Sequence, residues 1–242
     1  MNGLKETLEF IVKMAKAEEK TEIIDINGRT FVNKHLIECS KCRKAEPING
    51  HTLTSLVDYI EKMGNEFLGQ MFIHIVSPTK VRLISTLNNE RSRECLFEAT
   101  AQTSEFAFDT WYDQEQFVIE LQSNFQRNED LNAILKVSGN VEAKTVANYG
   151  DDGCTQKTTI SQGIAAKVDV IVPNPVVLIP YRTFSEVKQP ESNFVFRISS
   201  QGNPMFKLIE ANGGIWKNEA INNIKDYLSR SLSSRNLLPI IG

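Results

Sequence analysis

The sequence has no long apolar run. Its longest candidate, Val168 to Pro180, is broken by Asp169, Pro173, Asn174 and Pro175, far short of the about 18 unbroken apolar residues that a spanning helix needs. Neither a membrane span nor a membrane partner is expected. Near the N-terminus, Glu6 and Glu9 interrupt what would have to be the apolar core of a secretion signal. Cysteine is scarce, and without a secretory signal Cys39, Cys42, Cys95 and Cys154 read as reduced thiols of a cytosolic protein. Histidine is scarcer still: His35, His51 and His74 all lie in the first third, which confines any histidine-dependent chemistry to that region. The G-x-S-x-G elbow of the α/β hydrolases and the two glycine-rich phosphate loops are absent. An excess of charge of one sign is missing too. Lys and Arg number 27 against 30 Asp and Glu, a net charge of −3, so nothing draws the whole molecule to nucleic acid or anionic lipid. Repeats of fixed period and low-complexity tracts are also lacking.

What is present is globular: 41% hydrophobic and 24% charged residues in 242, enough chain for one large domain or two small ones. Leu4, Leu8, Ile11, Val12 and Ala15 recur at the spacing of one helical face, predicting an amphipathic helix over 3–18. Two β-prone runs then flank Asn27-Gly28, a dipeptide suited to a type I′ turn, and predict a hairpin. After a polar stretch over 39–51, Thr52 or Thr54 can cap a helix carrying Leu56, Val57, Ile60 and Met63. Three short strands follow, at 71–76, 81–86 and 95–100. Asp113 can cap a helix with Phe117, Val118, Leu121 and Phe125 on one face, and Leu131, Ile134 and Leu135 mark a shorter one ending at Gly139. From Val141 to Ile198 the chain is rich in Val, Ile, Thr and Phe with turn signals between, and a last helical face runs from Trp216 to Leu228. Helices and strands in blocks, without regular alternation, predict an α+β fold: a helix-and-hairpin N-terminal half and an antiparallel, strand-rich second half closed by a C-terminal helix. The expectation is one domain over 1–242, with a subdivision at 139/140.

Four groups of residues merit a chemical reading. His35, Cys39, Cys42 and His51 could supply tetrahedral zinc ligands from one loop. Their outer spacing is not that of a zinc finger, however, and Lys41, Arg43 and Lys44 fit a solvated loop, so no metal and no cofactor is expected. His74, between Ile73 and Ile75, falls on the outward side of a strand. Gly150-Asp151-Asp152-Gly153 places two carboxylates together but reads more simply as a hairpin turn. For nucleic acid, the candidate patch is Lys34, Lys41, Arg43 and Lys44, with Arg82, Arg91 and Arg93 as further cations and Phe106, Phe108, Trp111 and Tyr112 as the only dense aromatic cluster. Core packing is the commoner fate of such aromatics. The apolar tail Leu237, Leu238, Ile240 and Ile241 either folds back on the core or docks on another chain.

Tyr149-Gly150-Asp151-Asp152-Gly153, Pro173-Asn174-Pro175, Pro180-Tyr181-Arg182-Thr183-Phe184 with Glu186, Gln189-Pro190-Glu191-Ser192, Phe194-Val195-Phe196-Arg197 and Gly213-Gly214-Ile215-Trp216 occur in this order over about residues 139–228. This set resembles the YfdQ-like family of uncharacterised temperate-phage and prophage proteins. The resemblance implies a phage origin and a place in the cytoplasm of the bacterial host; it supplies no catalytic residues, and the cysteine pair is not part of it. The leading expectation is a non-enzymatic protein whose partner is itself, a homo-oligomer or shell-like assembly. Leu237, Leu238, Ile240 and Ile241 would be buried at its interface, and Arg182 would meet an acid such as Glu186 across subunits. The alternatives are an accessory protein of phage DNA metabolism, binding single strands or a partner through the Lys34 to Lys44 patch, and an inhibitor or sponge directed at a host defence protein.

Overall fold

A computed structural model describes residues 2–18, 21–26, 29–32, 44–103, 105–140, 150–151, 155–162, 166–199, 203–233 and 238–242. The chain divides into two compact units, Met1–Lys44 and Ala45–Gly242.

In the N-terminal unit, helix α1 spans Asn2–Glu18 and is followed by strands β1 (Ile23–Ile26) and β2 (Arg29–Val32). The strands pair antiparallel with Ile26 opposite Arg29, the register a two-residue connection demands; Asn27 and Gly28 themselves lie outside the described residues. The helix therefore forms where the apolar spacing predicts it. Its apolar side chains, however, are in solvent: Leu4 is 76% exposed, Phe10 62% and Ile11 55%.

The larger unit opens with β3 (Ile48–Gly50) and helix α2 (Leu53–Lys62). Thr52 is the cap, its hydroxyl accepting from Ser55 N at 3.1 Å. Strands β4 (Met71–Ser77), β5 (Lys80–Ser85) and β6 (Cys95–Thr100) follow, then the short β7 (Tyr112–Asp113) and helices α3 (Gln114–Asn124) and α4 (Glu129–Asn140). Asp113 caps α3, accepting from Gln116 N at 2.8 Å, and Asn128 caps α4, accepting from Leu131 N at 2.8 Å. Then come β8 (Gly150–Asp151), β9 (Thr155–Gln162), β10 (Ala166–Pro173), β11 (Val176–Leu178), β12 (Ser192–Ile198), β13 (Met205–Glu210), helix α5 (Trp216–Ser231) and a last strand β14 (Ile240–Ile241).

The architecture is α+β, with five α-helices and mostly antiparallel sheets among the described residues. One sheet has the order β14-β4-β5-β6-β3, its two edge strands parallel to their neighbours and the rest antiparallel. Strand β4 alternates as its sequence predicts: Ile73 and Ile75 are buried, and His74 is half-buried on the other face. A second sheet, β11-β12-β13-β7, is antiparallel throughout. The third, β10-β9-β8, lies beside α4. Strands β8 and β9 pair antiparallel, Gly150 opposite Lys157 and Asp151 opposite Gln156; Asp152 and Gly153 of the expected turn lie outside the described residues.

Each of the first two sheets buries its own core. The aromatic cluster joins Phe106, Tyr112, Phe117, Leu121 and Phe125 to Leu131 and Ile134 of α4 and to Phe194, Phe196, Phe206 and Leu208 of the second sheet. The aliphatic cluster joins Leu53, Leu56 and Ile60 of α2 to Ile73, Val81 and Leu83 of the first sheet and to Ile224 and Leu228 of α5. Both clusters draw residues from before and after position 139, where the composition changes.

The tail takes one of the two outcomes open to it. It folds back: Ile240 pairs with Ile73 and Ile241 with His74, Pro239 O accepts from Ile73 N at 2.9 Å, and Leu238 and Ile240 pack on the aliphatic core. Leu237 lies outside the described residues. Gly242 then sits so close to Ile75 that an added Cβ would be 2.8 Å from the Ile75 Cβ, so this end of the strand is a fitted edge. Leu238 and Ile240 are half-buried in this packing, whereas Ile241, named with them as an interface residue, is 54% exposed.

Candidate functional site

The connection between β11 and β12, residues 179–191, has almost no regular structure and holds the densest set of polar contacts in the larger unit. At one end Tyr181 N donates to Asn124 O at 2.9 Å and Gln126 N to Ile179 O at 2.8 Å, fastening the loop to the end of α3. In its middle Phe184 and Val187 plug the aliphatic core. One loop therefore reaches both cores, and what holds it is Gln189, 2% exposed. Its Oε1 accepts from Arg182 N at 3.0 Å and Thr183 N at 3.2 Å, while its Nε2 donates to Phe184 O at 2.9 Å. Beyond the single long bond from Val187 N to Phe184 O at 3.4 Å, the turn satisfies these backbone groups through this one amide. Thr183 adds a hydroxyl donated to Pro78 O in the β4–β5 turn.

Arg182 is the centre of the arrangement. Its side chain is 11% exposed; Nη1 donates to Glu210 Oε1 at 2.9 Å and Nη2 to Ser192 Oγ. Its guanidinium lies 3.9 Å from the centre of the Trp216 ring, a stacked cation–π pair. Burial pulls the Arg182 pKa below its ordinary value, and Glu210 opposes that shift. Trp216 is delivered by the turn before α5, where Gly213 (φ +60°) and Gly214 (φ +78°) adopt the left-handed conformation that glycine accepts without a Cβ penalty. Asn212 fixes that turn, its Oδ1 accepting from Gly214 N at 3.2 Å and its Nδ2 donating to Ser192 Oγ at 2.6 Å.

The expectation paired Arg182 with an acid such as Glu186 across subunits; within one chain each has another partner. Arg182 meets Glu210 of its own chain, and Glu186 Oε1 accepts from Thr54 N at 3.1 Å in the first turn of α2, where a carboxylate is favoured by the unpaired amides and the helix dipole. Nothing in the sequence pointed to Glu210, 28 residues away on a strand. Gln189, Ser192 and Trp216 belong to the quoted motif set, but spacing alone gave no sign that they converge.

Ser192 Oγ receives donors from Arg182 and Asn212, while the Glu186 carboxylate accepts from the Ser185 hydroxyl at 3.2 Å. The arrangement is a clamp that fixes one loop against its neighbours.

The other candidates are dispersed. Of the four possible zinc ligands only His51 is among the described residues; it is exposed, and its Nδ1 lies 3.3 Å from Thr100 O. Among the described residues no three His, Cys, Asp or Glu side chains gather as a metal site would need. Of the basic patch only Lys44 is described, and it is exposed. The aromatics offered as a stacking platform are core: Phe106 and Tyr112 are buried and Phe108 packs on Phe194 at 5.1 Å, which leaves Trp111, 43% exposed with Lys207 Nζ 5.0 Å from its ring centre. Two of the three added cations are engaged, and the third, Arg91, is exposed. Arg82 Nε lies 2.6 Å from Glu98, Lys80 Nζ 2.8 Å from the same carboxylate, and Arg93 donates to Ser85 O at 3.1 Å while covering the Phe72 ring.

The Glu98 triad has a pH consequence. The hydrogen bond from Lys80 is the largest cause holding its carboxyl below the ordinary value near 4.5, with Arg82 adding and burial opposing. A carboxyl lowered in the folded state stabilises fully above its unfolded pKa and loses that contribution as pH falls through the folded one. The stability difference between the unmodified protein and Glu98→Gln, from urea unfolding, is expected to be constant near neutral pH and to shrink progressively below about 4.5. A difference unchanged down to strongly acid pH would contradict this assignment.

No helix among the described residues is long and apolar enough to cross a membrane. No family model, no curated protein and no solved structure matches the chain.

Proposed function

We propose that the chain is a non-enzymatic phage or prophage protein that works as a homo-oligomer, and that its N-terminal unit joins one copy to the next. The observation that carries this reading is the exposed apolar surface of that unit. Leu4, Leu8, Phe10, Ile11, Val12 and Met14 on α1, with Ile23, Ile24 and Val32 on the hairpin, all lie in solvent. A 17-residue helix and a two-stranded hairpin are each marginal in water, and a unit of 44 residues is close to the size at which chains need staples or partners to stay folded. Apolar surface on this scale marks a contact surface.

The occupant is a second copy of this chain. Helix α1 has three lysines and three glutamates, so neither nucleic acid nor anionic lipid is attracted to it by charge, and an apolar protein surface is what its face complements. The larger unit offers such surface at Leu68, 90% exposed, and Ile215, 70% exposed. An N-terminal unit seated on the body of a neighbour is a head-to-tail contact, which closes into a ring when its rotation allows and grows further when it does not; the shell-like form is one such closed product. The phage origin and the host cytoplasm rest on the motif set over residues 139–228.

Hydrogen exchange tests where the contact lies. In concentrated protein the α1 amides are expected to be protected, and protection should fall by about tenfold or more on dilution as copies separate, while β4 and β5 stay protected throughout. Fast exchange of α1 at every concentration would contradict the proposal.

A further inference from the structure

Between the two cores of the larger unit lies a cleft of about 450 Å³, its walls including Glu105, Phe106, Phe108, Tyr181, Arg182 and Trp216. That volume is in the range of small-molecule sites, which favour such junctions. Three features give the cleft a chemical character. Flat aromatic surface is plentiful, and Tyr181 keeps 41% of its surface exposed. Arg182 Nε and Trp216 Nε1 are buried donors without an acceptor among the described residues, an unfavourable state that an acceptor on a ligand would relieve. Glu105 is exposed, and its carboxylate makes no hydrogen bond or ion pair among the described residues. The charge balance narrows the ligand further. Arg182 is neutralised by Glu210 at 2.9 Å, Glu219 is close enough to act on it through space, and Glu105 adds another negative charge at the wall, so an anion gains nothing on entering.

We propose that this cleft binds a neutral, flat heterocycle of nucleobase size, its ring against the aromatic wall, an N–H edge on the Glu105 carboxylate and a carbonyl oxygen received by the Arg182 and Trp216 donors. Those two nitrogens are buried beside the Arg182–Trp216 stack, so binding requires the stack to shift, and Trp216 reports that shift. The two sides of the recognition are complementary in kind: an acceptor for the ligand's donor edge and donors for its acceptor edge. This combination excludes purely apolar ligands, which leave the buried donors as they are.

The test uses the full chain bearing Trp111→Phe, which leaves Trp216 as the only tryptophan of two. Uridine, cytidine, adenosine and guanosine, each with its 5′-monophosphate, are titrated against Trp216 fluorescence, and saturation-transfer NMR checks binding independently. At least one nucleoside is expected to give a saturable change, its monophosphate to bind no tighter, and Glu105→Ala to weaken it by about tenfold. Tyr181→Ala, at another exposed position, should weaken it as well, and unaltered circular dichroism shows that both variants are folded. Absence of saturable binding for all four nucleosides, a monophosphate that binds tighter than its nucleoside, or full affinity in a folded Glu105→Ala variant would each overturn the proposal.

Discussion

Gln189→Leu is expected to cost about 3 kcal/mol or more of unfolding free energy and to lower the melting temperature by about 6–12 °C. Leucine is close to glutamine in size, so the cavity term is small and the loss is one of hydrogen bonding. The substitution leaves Arg182 N and Thr183 N without an acceptor and leaves Phe184 O only the long bond from Val187 N at 3.4 Å, and each buried group without a partner costs about 1–3 kcal/mol. The consequence extends beyond the loop. Arg182 N is one of the two amides held by Gln189, and the same residue's guanidinium lies on Trp216, so a displaced loop changes the tryptophan environment in the folded protein as well. Urea unfolding with Trp216 emission recorded in parallel measures both effects. A loss under about 1 kcal/mol with unchanged emission would show that water can replace the amide, and the clamp would then not be what holds the loop.

The second large effect is on assembly. Leu8→Glu with Ile11→Glu puts two carboxylates on the apolar stripe of α1, at 55% exposed positions in the separate chain. Both residues already face water, so the larger unit has nothing to lose, and its unfolding is expected to be unchanged within about 0.5 kcal/mol. An interface over that stripe would have to bury two charges without partners, costing several kcal/mol at each contact and repeating at every copy of a symmetric assembly. The double variant is therefore expected to elute and scatter as a 27.3 kDa chain. Retention of the parent's mass would exclude α1 as the joining element, and a lowered unfolding stability would show that the stripe packs within the chain.

Much of the fold was legible because it follows from local chemistry. Periodicity located α1, α3, α4 and α5, and the caps at Thr52 and Asp113 stand where a side-chain oxygen precedes an apolar face. Alternation in Phe72-Ile73-His74-Ile75 placed the histidine on the outer side of β4. What stayed hidden depends on pairs far apart in the chain. The two parallel edge strands join Ile240 to Ile73 and Ile48 to Phe97, and nothing in a short apolar tail distinguishes a final strand from an intersubunit anchor. The clamp was hidden for the same reason. Glu210 reads as the polar end of a strand and Gln189 as a turn residue, and their meaning comes only from the burial of Arg182 and its neighbours between two cores. The aromatics Phe106 and Tyr112 follow the commoner fate of such residues: packed with Phe117 and Phe125, they are core.

The central claim is that the exposed N-terminal surface is covered by another copy of the chain, and the absolute mass of the unmodified full chain in solution tests it most directly. Light scattering after size exclusion, across a hundredfold range of loading concentration and with absorbance at 260 and 280 nm on the same peak, is expected to give an integral multiple of 27.3 kDa and a protein-only absorbance ratio. A mass of 27.3 kDa at every concentration would contradict the account.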